Sequence, residues 1–251
     1  MNVGIYGLGR FGAFWASQLA TLSSLKVLAY NRNPERLTPS GVERVDLQQL
    51  MERSETIFLC CSISSLPQVL LEIAPWVRPG QIIADTCSVK VFPAKWMEES
   101  LPDNCCLLAT HPMFGPDSGK GGVKGLPLVL SALRGGEKAF EQWKPLFENM
   151  GLSVQVMSPQ EHDRVAAYSQ GITHMLGRVL DSMGIQDHPI ATQGFKVLLE
   201  LKKQTCNDPW QLFLDMQSYN PFTKTMRRDF SRALDSIRAS LDALDSHDEG
   251  V

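Results

Sequence analysis

The sequence predicts an α/β fold: a parallel-sheet domain over residues 1–157, followed by a smaller all-α domain over residues 158–251. Three observations carry this. Short apolar runs alternate with helix-like segments up to residue 157, and such alternation builds a parallel sheet with right-handed crossovers. A glycine-rich turn joins the first apolar run to the first helix-like segment. From Ser158 onward strand-like runs vanish and helical periodicity takes over to about Leu244.

In chain order, strands are expected at residues 2–6, 26–30, 56–60, 81–85, 105–110, 126–131 and 153–157. They are continuous apolar runs rather than polar–apolar alternations, as strands covered on both faces are. Helices are expected between them at residues 11–22, 47–53, 66–74 and 137–150. The second domain opens on Ser158-Pro159-Gln160-Glu161: a capping serine, a proline at the first helical position and a glutamate in the capping-box position. Asp208-Pro209 repeats the cap-then-proline signal.

Bulk properties narrow the function classes. Hydrophobic residues make up 43% of the 251-residue chain and charged residues 20%, which suits a globular protein with a sizeable core. A net charge of −3 gives no reason to expect nucleic acid as the main partner, because phosphate-binding domains carry a basic excess. No apolar stretch approaches the ~20 residues needed to span a bilayer, so no membrane partner is expected. The first apolar run, Val3 to Tyr6, has neither a basic leader nor a cleavage-like site. The six cysteines (Cys60, Cys61, Cys87, Cys105, Cys106 and Cys206) form neither a disulfide framework nor zinc-ligand spacing. They read as core thiols of a cytoplasmic protein without a metal site.

Gly7-Leu8-Gly9-Arg10-Phe11-Gly12 is a G-x-G-x-x-G turn that follows the first strand and opens a helix, the context of a Rossmann-type dinucleotide site. Gly7 permits the tight turn, Gly9 lets backbone approach a pyrophosphate, and Gly12 lets the helix pack on the sheet. The helix N-terminus then offers free N–H groups to the phosphates. At the end of the second strand an NAD site usually has an acidic residue for the ribose. Here Asn31 stands there without charge, followed by Arg32 and Arg36, which can reach a 2′-phosphate. NADP is the expected cofactor.

Further segments fall at strand C-terminal ends, where ligands bind in open α/β sheets. Cys61-Ser62 follows the third strand, Asp85-Thr86-Cys87-Ser88-Val89-Lys90 the fourth, and Thr110-His111-Pro112-Met113-Phe114-Gly115-Pro116 the fifth. Ser88 and His111 are expected on one sheet edge, two strands apart in one crevice. Neutral imidazole is the usual base for taking the proton of an alcohol as its hydride departs. Ser88 would align that hydroxyl, and Lys90 would supply a cation for a carboxylate or the cofactor. In the second domain His162 and His174 are twelve positions apart, so an unbroken α-helix puts them on different faces.

These pieces resemble the prephenate/arogenate dehydrogenase family, which makes tyrosine or its immediate precursor. The resemblance rests on the glycine turn, on Asp85-x-x-Ser88-Val89-Lys90, on His111-Pro112-Met113-Phe114-Gly115-Pro116 and on Gln170-Gly171-Ile172-Thr173-His174, in the family's order. It implies oxidative decarboxylation of a cyclohexadienol dicarboxylate, arogenate or prephenate. His111 would be the base, Ser88 would position the hydroxyl, and Gln170 and His174 would border the substrate. A homodimer through interlocked helices is implied as well.

The sequence departs from the family at the arginine that binds the substrate's side-chain carboxylate. Residues 210–219 contain none, and Arg227 and Arg228 are the nearest candidates. Two rival readings remain. A β-hydroxyacid dehydrogenase or imine reductase shares the two-domain plan, but the hydroxyacid enzymes use a helical-domain lysine that residues 158–182 lack. A non-catalytic NADP-binding regulator would be expected to have lost Ser88 or His111, and both are present.

Overall fold

Residues 1–248 are described by a computed structural model, and the first half follows the expected strand–helix alternation. β1 (Asn2–Tyr6), α1 (Arg10–Ala20), β2 (Lys26–Tyr30), β3 (Val42–Arg44), α2 (Leu47–Arg53) and β4 (Thr56–Leu59) come first. α3 (Leu66–Ile73), β5 (Ile82–Asp85), α4 (Val91–Ser100), β6 (Cys106–Pro112), β7 (Pro127–Ala132), α5 (Glu137–Asn149) and β8 (Ser153–Val156) follow. Among the described residues the strands form one eight-stranded sheet in the order β3-β2-β1-β4-β5-β6-β7-β8.

The sheet is parallel except for one pair: β6 and β7 are antiparallel, with His111 opposite Val129. This corrects the expectation of a wholly parallel sheet. A parallel return needs a crossover, usually helical, to carry the chain back over the sheet face. The 113–126 connection has no helix and turns directly. Two further elements escaped the sequence reading. β3 is only three residues long, and α4 shows no clear apolar stripe, burying only Pro93, Ala94 and Met97.

Both sheet faces are covered by helices, so the central strands are buried at every residue. On one face Trp15 of α1 and Trp143 and Phe147 of α5 are fully buried; the Trp143 ring meets Phe58 of β4 edge-on at 4.8 Å. The Trp143 indole also donates to the Thr56 hydroxyl at 3.1 Å, so its polar atom is satisfied in the core. On the other face Leu50 of α2, Leu66 and Leu70 of α3 and Met97 of α4 close the layer. Each such side chain contributes roughly 1.5–3 kcal/mol when fully buried.

The helical half comprises α6 (Pro159–Ala166), α7 (Ile172–Ser182), α8 (Gln193–Cys206), α9 (Trp210–Ser218) and α10 (Thr223–Asp248). α6 starts with the expected reciprocal box: the Ser158 hydroxyl accepts from Glu161 N–H, and the Glu161 carboxylate accepts from Ser158 N–H. The signal at Asp208-Pro209 works differently. Pro209 itself takes the cap position, and Asp208 makes no capping bond but turns its carboxylate toward Arg10.

Between α6 and α7, residues Ala167–Gly171 form a π-helical turn. A π turn takes in one residue more than an α turn without advancing the helix phase. Gly171 packs at ordinary contact distance there: an added Cβ would lie 3.4 Å from both the Ala166 carbonyl oxygen and Met226 of α10. The Gly171 carbonyl accepts from Gln217 Nε2 at 3.0 Å instead of from its own helix alone.

Candidate active site

A cleft of about 790 Å³ runs along the C-terminal ends of β1, β4, β5 and β6 and is closed on its far side by α7, the end of α8 and α9. At one end lies the glycine turn. Gly7 has φ +105°, and a Cβ there would sit 2.5 Å from the Cys60 carbonyl oxygen. At Gly12 a Cβ would fall 1.9 Å from the Gly7 carbonyl oxygen, so only glycine lets the helix start so close to the strand. At Gly9 no atom lies within 4 Å of an added Cβ, which leaves open the space a pyrophosphate needs. Gly9, Arg10, Phe11 and Gly12 line the cleft, as do Cys61 and Ser62. Burial pushes the Cys60 and Cys61 thiols up to about 12, so both stay protonated and are not nucleophiles.

The ribose end differs from expectation in one respect. The Asn31 side chain is committed to the turn itself: its Oδ1 accepts from Leu8 N–H at 2.8 Å and its Nδ2 donates to the Asn33 carbonyl. Asn31 and Leu8 shape the loop and do not line the cleft. Arg44, which the sequence reading passed over, donates to the Asn31, Asn33 and Arg36 carbonyls and so clamps the loop that carries Arg32 and Arg36. Arg32 and Arg36 are exposed and have no carboxylate partner among the described residues; Arg36 borders the cleft.

Ser88 and His111 line the middle of the cleft. They leave the neighbouring strands β5 and β6, not strands two apart. Lys90 is not the free cation expected. It is fully buried, pairs with Asp85 at short range and donates to the Thr110 carbonyl at 2.6 Å. Thr110 in turn donates through its hydroxyl to the Asp85 carbonyl at 2.5 Å. Lys90 therefore ties together the two strand ends that carry Ser88 and His111, and it does not face the cleft.

His111 is almost completely buried, and its Nδ1 lies 2.8 Å from His162 Nε2. His162 Nδ1 in turn lies 2.8 Å from Asp163 Oδ1. The Asp163 carboxylate also accepts from the backbone N–H groups of Lys90 and Val91, at the start of α4. Burial, with His162 and Lys90 nearby, holds the His111 imidazole well below its ordinary range. It is neutral at pH 7, as a base must be.

From the helical half come Ser169, Gln170, Thr173 and His174, with Gln204, Thr205, Asp208 and Gln211 beside them. His174 Nδ1 and Gln170 Oε1 are buried without a partner among the described residues. Burial, then Arg178, lowers the His174 imidazole to about 4. An unpaired buried polar atom costs ~1–3 kcal/mol, so a cleft that keeps two of them is set to pair them with a ligand. The π turn brings His162, which meets His111, and His174, which lines the cleft, onto nearly one side of the helix. Twelve α-helical residues leave them about 120° apart, and one residue absorbed by the turn reduces this to about 20°. Arg227 donates to the Gln217 carbonyl and side chain, and Arg228 is exposed; neither lines the cleft.

The description "Prephenate dehydrogenase, nucleotide-binding domain" matches residues 26–156, more than half of the chain. The chain belongs to the prephenate/arogenate dehydrogenase family. A second description, "TYRAAT1-like, C-terminal domain", matches residues 179–249. Arogenate dehydrogenase 1, chloroplastic, of Arabidopsis thaliana is 35% identical over 96% of this chain, which spans 39% of that protein. Arogenate dehydrogenase 2, chloroplastic, of the same plant is 32% identical over 96% of the chain, which spans 70% of it. Among solved structures, prephenate dehydrogenase from A. aeolicus in complex with hydroxyphenyl propionate and NAD+ shares the fold, with a TM-score of 0.78 at 18% identity over 97% of this chain and 91% of that one.

The family expected from the sequence is thus the one found, and the expected residues Ser88, His111, Gln170 and His174 line the cleft. His162 and Asp163, bonded behind His111, and Asp208, which lines the cleft, were not among the expected residues. The signal for His162 was its adjacent carboxylate in Glu161-His162-Asp163, outweighed by a helical count that had no way to include the π turn.

Proposed function

We propose that the protein catalyses NADP-dependent oxidative decarboxylation of arogenate to tyrosine. The carrying observation is that the cleft joins a dinucleotide turn to a neutral buried imidazole and to a substrate end without a free cation. Of the cations bordering the cleft, Arg36 stands at the nucleotide end and Arg10 is paired with Asp117 and Asp208. Around Gln170 and His174 the lining is amide, hydroxyl and the Asp208 carboxylate, whose pKa burial raises. Such a lining offers acceptors to the ammonium of arogenate. The side chain of prephenate carries a keto group there, and its carboxylate would go without a cation.

A bound oxidised nicotinamide supplies the hydride acceptor. His111 holds the proton of the ring hydroxyl as C4 loses hydride, and Ser88 keeps that hydroxyl in line. Loss of the ring carboxylate as carbon dioxide leaves its bonding electrons in the ring, which becomes aromatic. His111 then returns the proton to the ring oxygen, so the imidazole ends as it began.

Exposed Arg32 and Arg36, beside a strand end without an acidic residue, support NADP over NAD. Leu234, Ile237, Leu241 and Leu244 form an exposed apolar row along α10 at heptad-like spacing, which supports a homodimer through this helix. The six cysteines are unpaired, which fits a reducing compartment. The two Arabidopsis relatives are chloroplastic by name, so the compartment is proposed as reducing rather than as the cytoplasm in particular.

The decisive experiment is steady-state kinetics with arogenate and prephenate, each with NADP and NAD. The expected result is a higher kcat/KM for arogenate with NADP. A strong preference for prephenate reverses the substrate, and no turnover with either dienol overturns the reading.

A further inference from the structure

We infer that His162 and Asp163 are positioning residues that fix the tautomer of His111, so that its unprotonated nitrogen is the one offered to the substrate. The inference rests on the proposed role of His111 and extends it to two side chains that touch neither substrate nor cofactor in that role.

The network dictates the ring protons. Asp163 is fully buried, and its carboxylate has only acceptors to offer. Oδ1 takes the Lys90 N–H at 2.7 Å and faces His162 Nδ1 at 2.8 Å, while Oδ2 takes the Val91 N–H at 2.9 Å. Those two backbone donors belong to the first turn of α4, whose N-terminal dipole end favours a negative charge. With the carboxylate so held, His162 Nδ1 has to carry a hydrogen. In the neutral ring Nε2 is then a bare acceptor. His111 Nδ1, 2.8 Å away, must therefore be the donor of that pair. This leaves the lone pair of His111 on Nε2. With His162 neutral, the opposite tautomer of His111 would set two lone pairs against each other in a buried site.

The chain of bonds also spans the two halves of the molecule. His111 ends β6, His162 and Asp163 sit on α6, and Lys90 and Val91 begin α4. Asn220 Nδ2 donates to the Asp163 carbonyl at 2.7 Å, which anchors α6 from the segment between α9 and α10. The base is thus aligned by the helical half, which gives that half a part in the chemistry besides lining the substrate end.

The test combines nitrogen-15 NMR of the imidazoles with two substitutions at one site. In the unaltered protein His111 and His162 should both be Nδ1-protonated with bare Nε2. His162→Phe fills the space but offers no acceptor; it should lower kcat about 10²-fold, the lower part of a general-base contribution, with KM and NADP affinity within a few-fold. It should also release His111 into a mixture of tautomers. His162→Gln, whose carbonyl can accept from His111 Nδ1, should recover kcat to within about tenfold of the unaltered protein and restore the single tautomer. An Nε2-protonated His111 in the unaltered protein overturns the inference, as does equal kcat in the Phe and Gln variants. The NMR result decides the point even if no dienol is turned over, in which case the proposed reaction fails and the tautomer assignment stands or falls by itself.

Discussion

Arg10 of the glycine turn and Asp117 of the β6–β7 connection pair at 2.8 Å across the mouth of the cleft, and Asp208 holds the same guanidinium at 3.5 Å. A third partner is the Asn207 carbonyl at 2.9 Å. A dinucleotide pyrophosphate must compete with both carboxylates for this cation. Removing one competitor should therefore help the cofactor. Both partners of the 2.8 Å pair are over 40% exposed, so water screens it and the gain is small. Asp117→Asn is expected to tighten NADP binding by about two- to fivefold in calorimetry. Unchanged or weaker binding would show that Arg10 stays with the helical half when the cofactor is bound.

Arg32 and Arg36 sit on a loop clamped by Arg44, without carboxylates of their own. A charge-assisted contact to a 2′-phosphate is worth ~1.5–3 kcal/mol, tenfold or more in affinity. Arg32→Ala should weaken NADP by that factor and leave NAD within about twofold, since NAD lacks the group being held. Arg36→Ala should act in the same direction. Equal losses for the two cofactors would sink the idea.

His111→Asn should keep the fold and NADP affinity but lose about 10²–10⁴-fold in kcat, the usual worth of a general base. The pH profile adds a sign. Neutral imidazole is the active form, and burial with its neighbours holds the His111 pKa well below 6.5. The plateau of kcat/KM should therefore continue through pH 6.5 and fall only in more acidic solution. This acid limb should vanish in the Asn variant. A normal limb in that variant would assign the titration to another group.

Lys90 separates a structural role from a binding one. Removing one member of a buried ion pair leaves the other charged and alone, at a cost of ~3–5 kcal/mol. Lys90→Ala should lower the unfolding free energy by that much, read from urea unfolding at pH 7, while the folded fraction keeps its KM for the dienol. A raised KM at unchanged stability would restore the substrate contact that the sequence suggested.

The apolar row on α10 predicts a dimer by light scattering at micromolar concentration. Ile237→Asp with Leu241→Asp places two charges in that row and should give a monomer. A monomer before any substitution would mean that the row is covered in some other way.

Much of this was legible in the residues because it is local. The glycine turn, the continuous apolar strands and the Ser158 box each specify a short piece of backbone, and each formed where expected. Lys90 and Asn31 were misread for one reason. Their place in the chain suggested a ligand, but their partners, Asp85 and the Leu8 N–H, come from tertiary packing. The reversal of β7 was hidden because direction is set by the connection and not by the strand. His162 was hidden by the π turn, an extra residue that a count of regular α-helical turns does not include.

That turn makes the helical half behave like a rod with a keyed joint. A standard α-helix through Ala167–Gly171 would be the better-bonded rod, yet it would swing everything beyond the joint by about 100° relative to everything before it. His162 and Asp163 lie before the joint, and His174 and the rest of α7 lie after it. Taking out a single residue between Ala167 and Gly171 would therefore regularise the backbone and keep the two segments in phase, whereas rewinding all the residues present as an α-helix would misalign them. The tool that grips the base and the wall that faces the substrate are cut from one bar. Their angle is set by a local irregularity, and the same residues wound as a regular α-helix would lose it.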